Sequence, residues 1–538
     1  MILKQFKIIS YLLLFISSLV FAQTNKYFIA FNNKNNNGYS ISNPSAFLSS
    51  KAIQRRINQG IAIDYTDLPV TPSYVNQIES LSGVTVLHRL KWLNGVVIQT
   101  TNTVALSVIQ TYSYVQSVAP LNHIIVQRPV DSLSVVSATS TAKTYSYNYG
   151  SMYDQIHQLN LECLHNAGYR GEGVIIAVID DGFYNVHNNP VFDSLFAQGR
   201  LLGTRDFVTR DTMVFEDDNH GAQVLSTMAA LSPGNMVGAA PKASYWLLRS
   251  EDVNSEYPIE EYYWIRAAEF ADSAGVDIIN TSLGYTTFDN TTYNHTYSML
   301  DGKTTPIAIG ARMAARKGIL VVVAAGNEGN GSWYYISTPA DADSVCTVGA
   351  VDNTGIVASF SGHGPTADGR IKPDVCARGV STIISSANGF PISGNGTSFA
   401  SPLIAGAMAC LWQAKPNLSN MQLINLVKQN SSNAINPNNS IGFGIPDFCA
   451  ALTSIKEPTN SIFVSIYPNP TNDKVFIISS EIIQSLKLYN IFGEEIQSKN
   501  NIQSKYCELF LDTFSDGVYF ISLYTYSDER VTYKLIKK

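Results

Sequence analysis

Charged residues are scarce in this chain. Of its 538 residues, 14% are Asp, Glu, Lys or Arg, against about a quarter in typical soluble domains. The formal net charge is −6 at pH 7, which gives no reason to expect nucleic acid or an anionic membrane as a partner. After the first 22 residues, no run reaches the roughly 18 apolar residues that a membrane-spanning helix needs.

Cysteines are also few, and a common hydrolase motif is missing. The six cysteines have no paired spacing, which predicts neither a disulfide framework nor a metal-ligand cluster: Cys163, Cys346, Cys376, Cys410, Cys449 and Cys507. Cys410 lies in a run of small apolar residues and is predicted to pack as a small core side chain. The absence of G-x-S-x-G excludes a lipase or esterase that carries its serine on that turn.

The first 22 residues have the pattern of a cleaved secretory signal peptide. Two lysines precede the apolar run Ile8–Val20, and Val20-Phe21-Ala22 places small residues at positions −3 and −1 of a cleavage site. Gln23 is therefore the expected new N-terminus. An uncleaved membrane anchor is the alternative, and the shortness of the apolar run argues against it.

A chain of this length is expected to form two to four domains. Residues 23–125 alternate strand and helix patterns, which predicts an α+β domain of ferredoxin-like size. Residues 126–150 are rich in Ser, Thr and Tyr and indicate an exposed linker, where maturation cleavage could occur.

Residues 151–452 show βα repeats. Short apolar runs indicate strands that are buried on both faces: Val174–Ile179, Ser244–Leu248, Asp277–Asn280, Ile319–Ala324 and, more weakly, Val345–Val348. The prediction is an α/β domain with a doubly wound, mostly parallel sheet, whose ligands lie beyond the carboxyl ends of the strands. After a second linker at 453–460, residues 461–538 alternate as short strands and predict a small all-β sandwich.

Three separated segments carry residues suited to nucleophilic catalysis: A-V-I-D-D-G (177–182), N-H-G-A-Q-V (219–224) and G-N-G-T-S-F-A-S-P (394–402). Ser398 needs an imidazole to take its proton, and His220 stands in H-G-x-x-V. Asp180 follows an apolar strand, so its carboxylate would emerge at the strand's carboxyl end and orient the imidazole. Asp181 is the rival for that role. Ser398 is predicted at a helix N-terminus, with Pro402 in the first turn.

The three segments, in the order Asp, His, Ser, resemble those of subtilisin-like serine proteases. The resemblance implies a secreted serine endopeptidase that acts through an acyl-enzyme, with Ser398 as nucleophile, His220 as general base and acid, and Asp180 as the orienting carboxylate. The segment A-A-G-N-E-G (324–329) resembles the oxyanion-hole segment of the family, so Asn327 is expected to stabilise the oxyanion together with the backbone N–H of Ser398. The resemblance also implies substrate-binding residues in two segments that flank the pocket before the scissile bond: Ser282, Leu283, Gly284 and Gly326.

The regions on either side also resemble parts of known secreted proteases. Residues 23–125, with S-K-A-I-Q-R-R-I (50–57) and K-W-L-N (91–94), resemble subtilase prodomains, which implies a folding chaperone and temporary inhibitor. An ordinary accessory domain is the alternative. The tail, with Y-P-N-P, L-Y-N-I-F-G and D-G-V-Y-F-I-S-L, resembles the C-terminal sorting domains of the type IX secretion system. This implies export across the outer membrane of a Bacteroidetes-type bacterium, to the surface or the medium, through that machinery. A carbohydrate- or protein-binding sandwich is the alternative for the tail.

Two positions depart from the family pattern. Gln223 stands where the family has a second His, and Asp181 stands where it has a hydroxyl residue. No cofactor is needed for the chemistry and no metal site is predicted. Calcium is common in the family, but Asp341, Asp343 and Asp352 lack a calcium-loop spacing. The expected partners are protein or peptide substrates and the chain's own prodomain. The alternative function is a catalytically impaired, subtilisin-like surface binding protein.

Overall fold

The computed structural model describes residues 25–121, 134–135, 146–216, 218–454, 464–525 and 530–538. The predicted signal peptide lies outside the described residues, as do most of the first linker and residues 455–463. Within the described part of the chain, no helix has both the length and the apolar character that a bilayer crossing requires.

The N-terminal domain is a four-stranded antiparallel sheet with two of its three helices packed on one face. Its elements are β1 Asn25–Phe31, α1 Ser50–Asn58, α2 Pro72–Glu79, β2 Val84–Leu90, β3 Gly95–Thr100, α3 Thr103–Gln110 and β4 Val115–Pro120. The strand order β2-β3-β1-β4 and the βαββαβ succession confirm the predicted ferredoxin-like fold. The side chains of Ile29, Val96 and Ile98 are fully buried between the sheet and its helices.

The central domain is built on a larger sheet. The strands from the first linker to the end of this domain are β5 Ser134–Val135, β6 Ile175–Asp180, β7 Leu201–Asp206, β8 Leu231–Ser232, β9 Met236–Val237, β10 Ser244–Arg249, β11 Ile278–Thr281, β12 Leu320–Ala324, β13 Cys346–Val351, β14 Val375–Arg378, β15 Thr382–Ser385 and β16 Pro391–Gly394. Seven of them form a parallel sheet in the order β14-β13-β12-β11-β6-β10-β7. All five predicted strands are present in it, each within a few residues of its predicted bounds.

Helices cover both faces of this sheet. They are α4 Tyr153–His157, α5 Glu162–Asn166, α6 Asp193–Ala197, α7 His220–Ala229, α8 Ile259–Ala274, α9 Pro306–Arg316, α10 Thr397–Ala414, α11 Asn420–Gln429 and α12 Phe448–Thr453. Alternate residues of β6 enter two separate cores: Ile176 and Val178 face the core that contains α7 and α10, whereas Ala177 and Ile179 face the core that contains α8 and α9. This two-sided burial explains the continuous apolar runs and confirms the doubly wound α/β fold.

The N-terminal domain shares a hydrophobic core with helix α8. Phe28 and Trp92 are buried in the same cluster as residues of α8, and the ring of Phe28 lies 4.9 Å from that of Tyr262. An ion cluster lies beside this core. Arg56 Nη2 lies 2.6 Å from Asp67 Oδ1 in its own domain and 2.9 Å from Asp272 Oδ1 of α8. The contact between the domains therefore combines apolar packing with buried charge pairs.

The segment predicted as a linker contains a short strand. Strand β5 pairs antiparallel with β16, which itself pairs with β15, so the three form a small sheet. Two residues of the segment predicted as an exposed linker, 126–150, therefore pair as a strand. The free edge of β16 supplies the hydrogen bonds that a lone two-residue strand could not form.

One disulfide corrects the prediction made from cysteine spacing. Cys163 in α5 and Cys449 in α12 are bonded, with Cα atoms 5.5 Å apart and a sequence separation of 286. The fold brings these two helices together, and spacing along the chain carries no sign of it. The remaining cysteines are free and buried. Cys410 is fully buried in the core beside α7, as predicted.

The C-terminal domain is all-β, as predicted, but its described strands are fewer and longer than expected. They are β17 Val464–Tyr467, β18 Lys474–Tyr489, β19 Glu495–Phe510, β20 Gly517–Thr525 and β21 Arg530–Lys537. Strand β18 pairs with β17, β19 and β20, and its register shifts between Ile478 and Ile483. These shifts let one 16-residue strand serve two parts of the sheet around a common apolar core.

Candidate active site

Asp180 and His220 form a direct hydrogen bond. Asp180 is the last residue of β6 and is fully buried, and His220 is the first residue of α7. The His220 Nδ1 and Asp180 Oδ1 atoms are 2.6 Å apart. Gly221 allows this approach, because a Cβ there would meet the carbonyl oxygen of Gly182 and lie 2.9 Å from the Asp180 Cβ.

Asp181 makes a different contact. Its Oδ1 accepts a hydrogen bond from the backbone N–H of Gly221 at 3.2 Å, in the first turn of α7. Its own N–H donates to Asp180 Oδ1 at 3.0 Å. Of the two adjacent carboxylates, Asp180 is therefore the one bonded to the imidazole, and Asp181 lies against the start of the helix.

Ser398 is the second residue of α10, at the end of that helix where backbone N–H groups lack intrahelical partners. Its Oγ donates to the carbonyl oxygen of Ser282 at 3.3 Å, and Ser282 Oγ donates to the Ser398 carbonyl at 2.8 Å. The ring of Phe399, next in sequence, lies 5.9 Å from the ring of His220. The serine is thus held against Ser282, and the residue that follows it packs near the imidazole.

Pro402 was predicted to lie in the first turn of its helix. The structure places it instead at the sixth position of α10. A proline there cannot donate to the carbonyl four residues earlier, which is that of Ser398. The hydroxyl of Ser282 replaces the missing donor at this carbonyl. Because Pro402 has no N–H, the Ser398 carbonyl is free to accept the hydrogen bond from Ser282.

The side-chain amide of Asn327 has a defined orientation. Its Oδ1 accepts from the backbone N–H of Thr397 at 2.9 Å and from the Thr397 hydroxyl at 3.0 Å. These two donors fix the oxygen side of the amide. The Nδ2 group and the Ser398 backbone nitrogen border the same space, since a Cβ on Gly396 would lie 3.7 Å from the first and 3.6 Å from the second. Asn327 is exposed, so its Nδ2 group can be reached from solvent.

A cavity of about 200 Å³ adjoins these residues. Ser398 and Asn327 line it, together with every residue that the sequence predicted for substrate binding: Ser282, Leu283, Gly284 and Gly326. Asp180 and His220 lie outside its lining. The cavity therefore lies on the side of the serine that faces segments 282–284 and 326–328, and Asp180 and His220 are not part of its wall.

Comparison with known proteins shows which family the chain belongs to. Residues 171–444, about half of the chain, match the model of the subtilase family. The chain belongs to the subtilase family. Residues 26–134 match the Peptidase S8 propeptide domain of Bacteroidota, and residues 465–538 match the secretion system C-terminal sorting domain. These matches confirm the resemblances that the sequence motifs indicated for all three regions.

Individual relatives cover the central domain. Subtilisin E of Bacillus subtilis (strain 168) is 34% identical over 272 residues, which are 50% of this subtilase and 63% of subtilisin E. Subtilisin of Bacillus pumilus is 33% identical over 272 residues, which cover 50% of this chain and 87% of that one. Among solved structures, MycP1 from Mycobacterium smegmatis is similar with a TM-score of 0.48 and 22% identity, over 62% of this chain and 90% of that one.

The electrostatics of the subtilase site centre on His220. Partial burial would by itself lower the pKa of this imidazole, but the charge and hydrogen bond of Asp180, followed by the charges of Asp181 and Asp218, raise the pKa to about 10. The pKa of Asp181 is raised well above its usual range by burial and by the charge of Asp180. The carboxylate oxygens of Asp180 and Asp181 and a nitrogen of His220 lie within 4.8 Å of one another.

Several cavity residues were not predicted from the sequence. Glu251, Glu256, Glu328 and Ser337 line the cavity with the predicted residues. Glu251 comes two residues after the carboxyl end of β10, and Glu328 follows Asn327 directly. Both glutamates could have been predicted as site residues from their positions, because ligands bind beyond the carboxyl ends of parallel strands. Ser337 had none, since it lies in an irregular segment.

The aspartates considered for calcium have protein partners. Asp341 accepts from the Gly302 N–H at 2.7 Å, Asp343 lies 3.1 Å from Arg312, and Asp352 accepts from backbone groups of its own turn. Among the described residues, two clusters are close enough to hold a metal: Asp180, Asp181 and His220, and Glu251, Glu256 and Glu260. Neither cluster includes the three aspartates.

Proposed function

We propose that this chain is a secreted serine endopeptidase that hydrolyses peptide bonds through an acyl-enzyme. The observation that carries the proposal is the 2.6 Å hydrogen bond between Asp180 and His220, at a site where Phe399, the neighbour of Ser398 in α10, lies 5.9 Å from the imidazole ring. Membership in the subtilase family supports the same chemistry. The matched region spans 63% of subtilisin E, so the activity of the whole chain is part of the proposal.

The first step would be transfer of the Ser398 proton. Because His220 Nδ1 is engaged by Asp180, Nε2 is the nitrogen available to the serine hydroxyl. Ser398 Oγ would leave the Ser282 carbonyl, give its proton to Nε2 and attack the scissile carbonyl. His220 would then pass the proton to the leaving amine, and water would release the acyl group by the reverse sequence.

Asn327 would stabilise the negative charge on the attacked oxygen. The amide oxygen is fixed by Thr397, so Nδ2 can donate to the oxyanion together with the backbone N–H of Ser398. Removal of one such donor typically lowers turnover by ~10²–10³-fold. The substrate backbone would bind between segments 282–284 and 324–326 as an added strand.

The flanking domains would control where and when the protease acts. The N-terminal domain matches a propeptide model and packs on α8, which supports a role as folding aid and inhibitor until it is removed. The C-terminal domain matches a sorting-domain model, which supports export by the type IX machinery across a bacterial outer membrane. Both domains would be absent from the mature enzyme.

A serine replacement tests the proposal. We expect Ser398→Ala to lower casein hydrolysis at least about a thousandfold and to abolish labelling by an organophosphonate. Ser344→Ala removes a hydroxyl from the same domain outside the cavity and should change neither. A wild-type protein that is neither labelled nor active would instead indicate a catalytically impaired binding protein.

A further inference from the structure

Buried polar side chains connect the start of α10 to strand β11. Asn280 in β11 and Ser401, three residues after Ser398 in α10, are both fully buried. The Ser401 hydroxyl lies 2.9 Å from Asn280 Oδ1. Asn280 Nδ2 lies 3.3 Å from Ser282 Oγ, which lies 2.8 Å from the carbonyl oxygen of Ser398. These four residues, called here the Asn280 network, run from α10 to β11 and back to α10.

Each hydrogen bond of the Asn280 network has one possible direction. The Ser398 carbonyl can only accept, so the Ser282 hydroxyl must donate its single proton there. Ser282 Oγ must then accept from Asn280, which places the amide Nδ2 on that side and turns Oδ1 towards Ser401. The Asn280 amide therefore donates to one neighbour and accepts from the other, and neither an aliphatic side chain nor an ionised carboxylate could do both.

Pro402 makes the start of α10 depend on this network. A regular helix would hold the Ser398 carbonyl with the N–H of residue 402, and a proline has none. The Ser282 hydroxyl supplies that bond instead, and Asn280 holds the Ser282 hydroxyl. Loss of the amide would take a partner from two buried hydroxyl groups, and an unmade hydrogen bond in the interior has a free-energy cost. Any rearrangement that restores these bonds must move the first turns of α10 relative to β11.

The candidate nucleophile and the segment predicted to bind substrate are joined at the same place. Ser398 Oγ lies 3.3 Å from the Ser282 carbonyl oxygen, and Ser282 Oγ bonds back to the Ser398 carbonyl. A movement of α10 against β11 would therefore change the position of the nucleophile relative to the substrate. Displacement of a reacting group by about 1 Å can lower the rate by about 10²-fold.

We propose that Asn280 is a positioning residue for the reaction, which acts through Ser282 and Ser401 to hold the Ser398 hydroxyl where it attacks the substrate carbonyl. Asn280 is not among the residues that line the cavity, so its effect on catalysis is transmitted by its neighbours. The inference rests on the proposed peptidase function and adds to it a residue outside the group Asp180, His220, Ser398 and Asn327.

Replacements that break the network at different links test this role. Asn280→Leu removes both polar atoms at similar volume and should lower kcat about 10- to 100-fold with KM within about twofold, because the bound substrate meets a misplaced nucleophile. Ser401→Ala removes only the far link and should lower kcat about threefold. The double variant should be no worse than Asn280→Leu alone, since both changes break the same network. Thr347→Val removes an equally buried hydroxyl, which donates to the Ala340 carbonyl in another part of the domain, and should leave kcat unchanged.

Phosphonate labelling followed to its end point counts the folded sites, so kcat per labelled site separates misplacement of Ser398 from loss of folding. An unchanged kcat per labelled site in Asn280→Leu would overturn the inference while the peptidase function stands. Where Asn280→Leu yields no folded protein, an unchanged kcat in Ser401→Ala does the same. A double variant whose loss equals the product of the two single losses would also overturn it. A wild-type protein that cleaves no peptide and is not labelled would overturn the peptidase function as well.

Discussion

Replacement of Asp181 by serine should make this enzyme active at lower pH. The base form of His220 is neutral, so catalysis by the free enzyme falls as the pH drops through the pKa of this imidazole. That pKa is raised to about 10 by Asp180, with further contributions from Asp181 and Asp218. The pKa of Asp181 is itself raised, so its charge acts on His220 only at a pH above that pKa. Removal of this charge lowers the pKa of His220, and the acid limb of the pH profile moves down.

The size of the shift follows from the separation of the charges. An oxygen of Asp181 lies within 4.8 Å of a His220 nitrogen. Coulomb's law at that distance gives about 3.5 kcal/mol at an effective dielectric constant of about 20, and about 0.9 kcal/mol in bulk water. At about 1.36 kcal/mol per pKa unit, the expected shift lies between roughly 0.6 and 2.5 pH units.

The assay is the pH dependence of kcat/KM on a peptide whose own charge is constant over the range. Asp181→Asn provides the matched variant, because its amide oxygen can still accept from the Gly221 N–H while the charge is lost. Both variants should shift in the same direction. Equal midpoints in wild type, Asp181→Ser and Asp181→Asn would show that Asp181 is uncharged when His220 titrates and would refute the reasoning.

Three further predictions concern stability and the shape of the cavity. Arg56→Met removes one of the cationic side chains that pair with the buried Asp272 and should lower the free energy of unfolding of the unprocessed chain by about 3 kcal/mol. Urea unfolding in the Ser398→Ala background measures this, and an unchanged midpoint would contradict the prediction. Cys449→Ser should lower the free energy of unfolding by about 2 to 5 kcal/mol because it removes the disulfide. Reduced wild type and the variant should then be equally stable, and a remaining difference would contradict the prediction. Gly284→Ala would place a Cβ 2.0 Å from Ser337 Oγ, so this cavity residue must shift, and kcat/KM should fall more for peptides with large side chains than for those with alanine; equal losses would exclude this steric effect.

The candidate catalytic residues could be predicted because each lies where a local pattern ends. Asp180 closes an apolar strand, His220 opens a helix whose other residues are all buried, and Ser398 lies in the first turn of a helix rich in small apolar residues. The apolar run predicted a strand at Val174–Ile179, and the strand is Ile175–Asp180. The predicted bounds of the strand were shifted by one residue, but the Asp180 carboxylate lies at the carboxyl end of the strand, as expected.

Features that depend on contacts between distant segments could not be predicted. The bond between Cys163 and Cys449 joins helices that lie 286 residues apart in sequence. The short strand β5 forms only because β16 offers an edge to it. Ser337 reaches the cavity through packing beneath Gly284, and no local pattern reports such packing. These residues acquire their surroundings from tertiary structure, which a single sequence does not encode locally.

The burial of α10 has a consequence for the dynamics of the site. Every residue from Thr397 to Trp412 is buried, so this helix has no solvent-facing side along four turns. Amide hydrogens in such an element exchange only through large-scale unfolding, because local opening would expose the core. We therefore expect the amides of α10 to be among the slowest to exchange in the central domain. Ser398 would then lie in the part of the central domain that opens least often. Substrate would reach it from the side of the exposed residue Asn327.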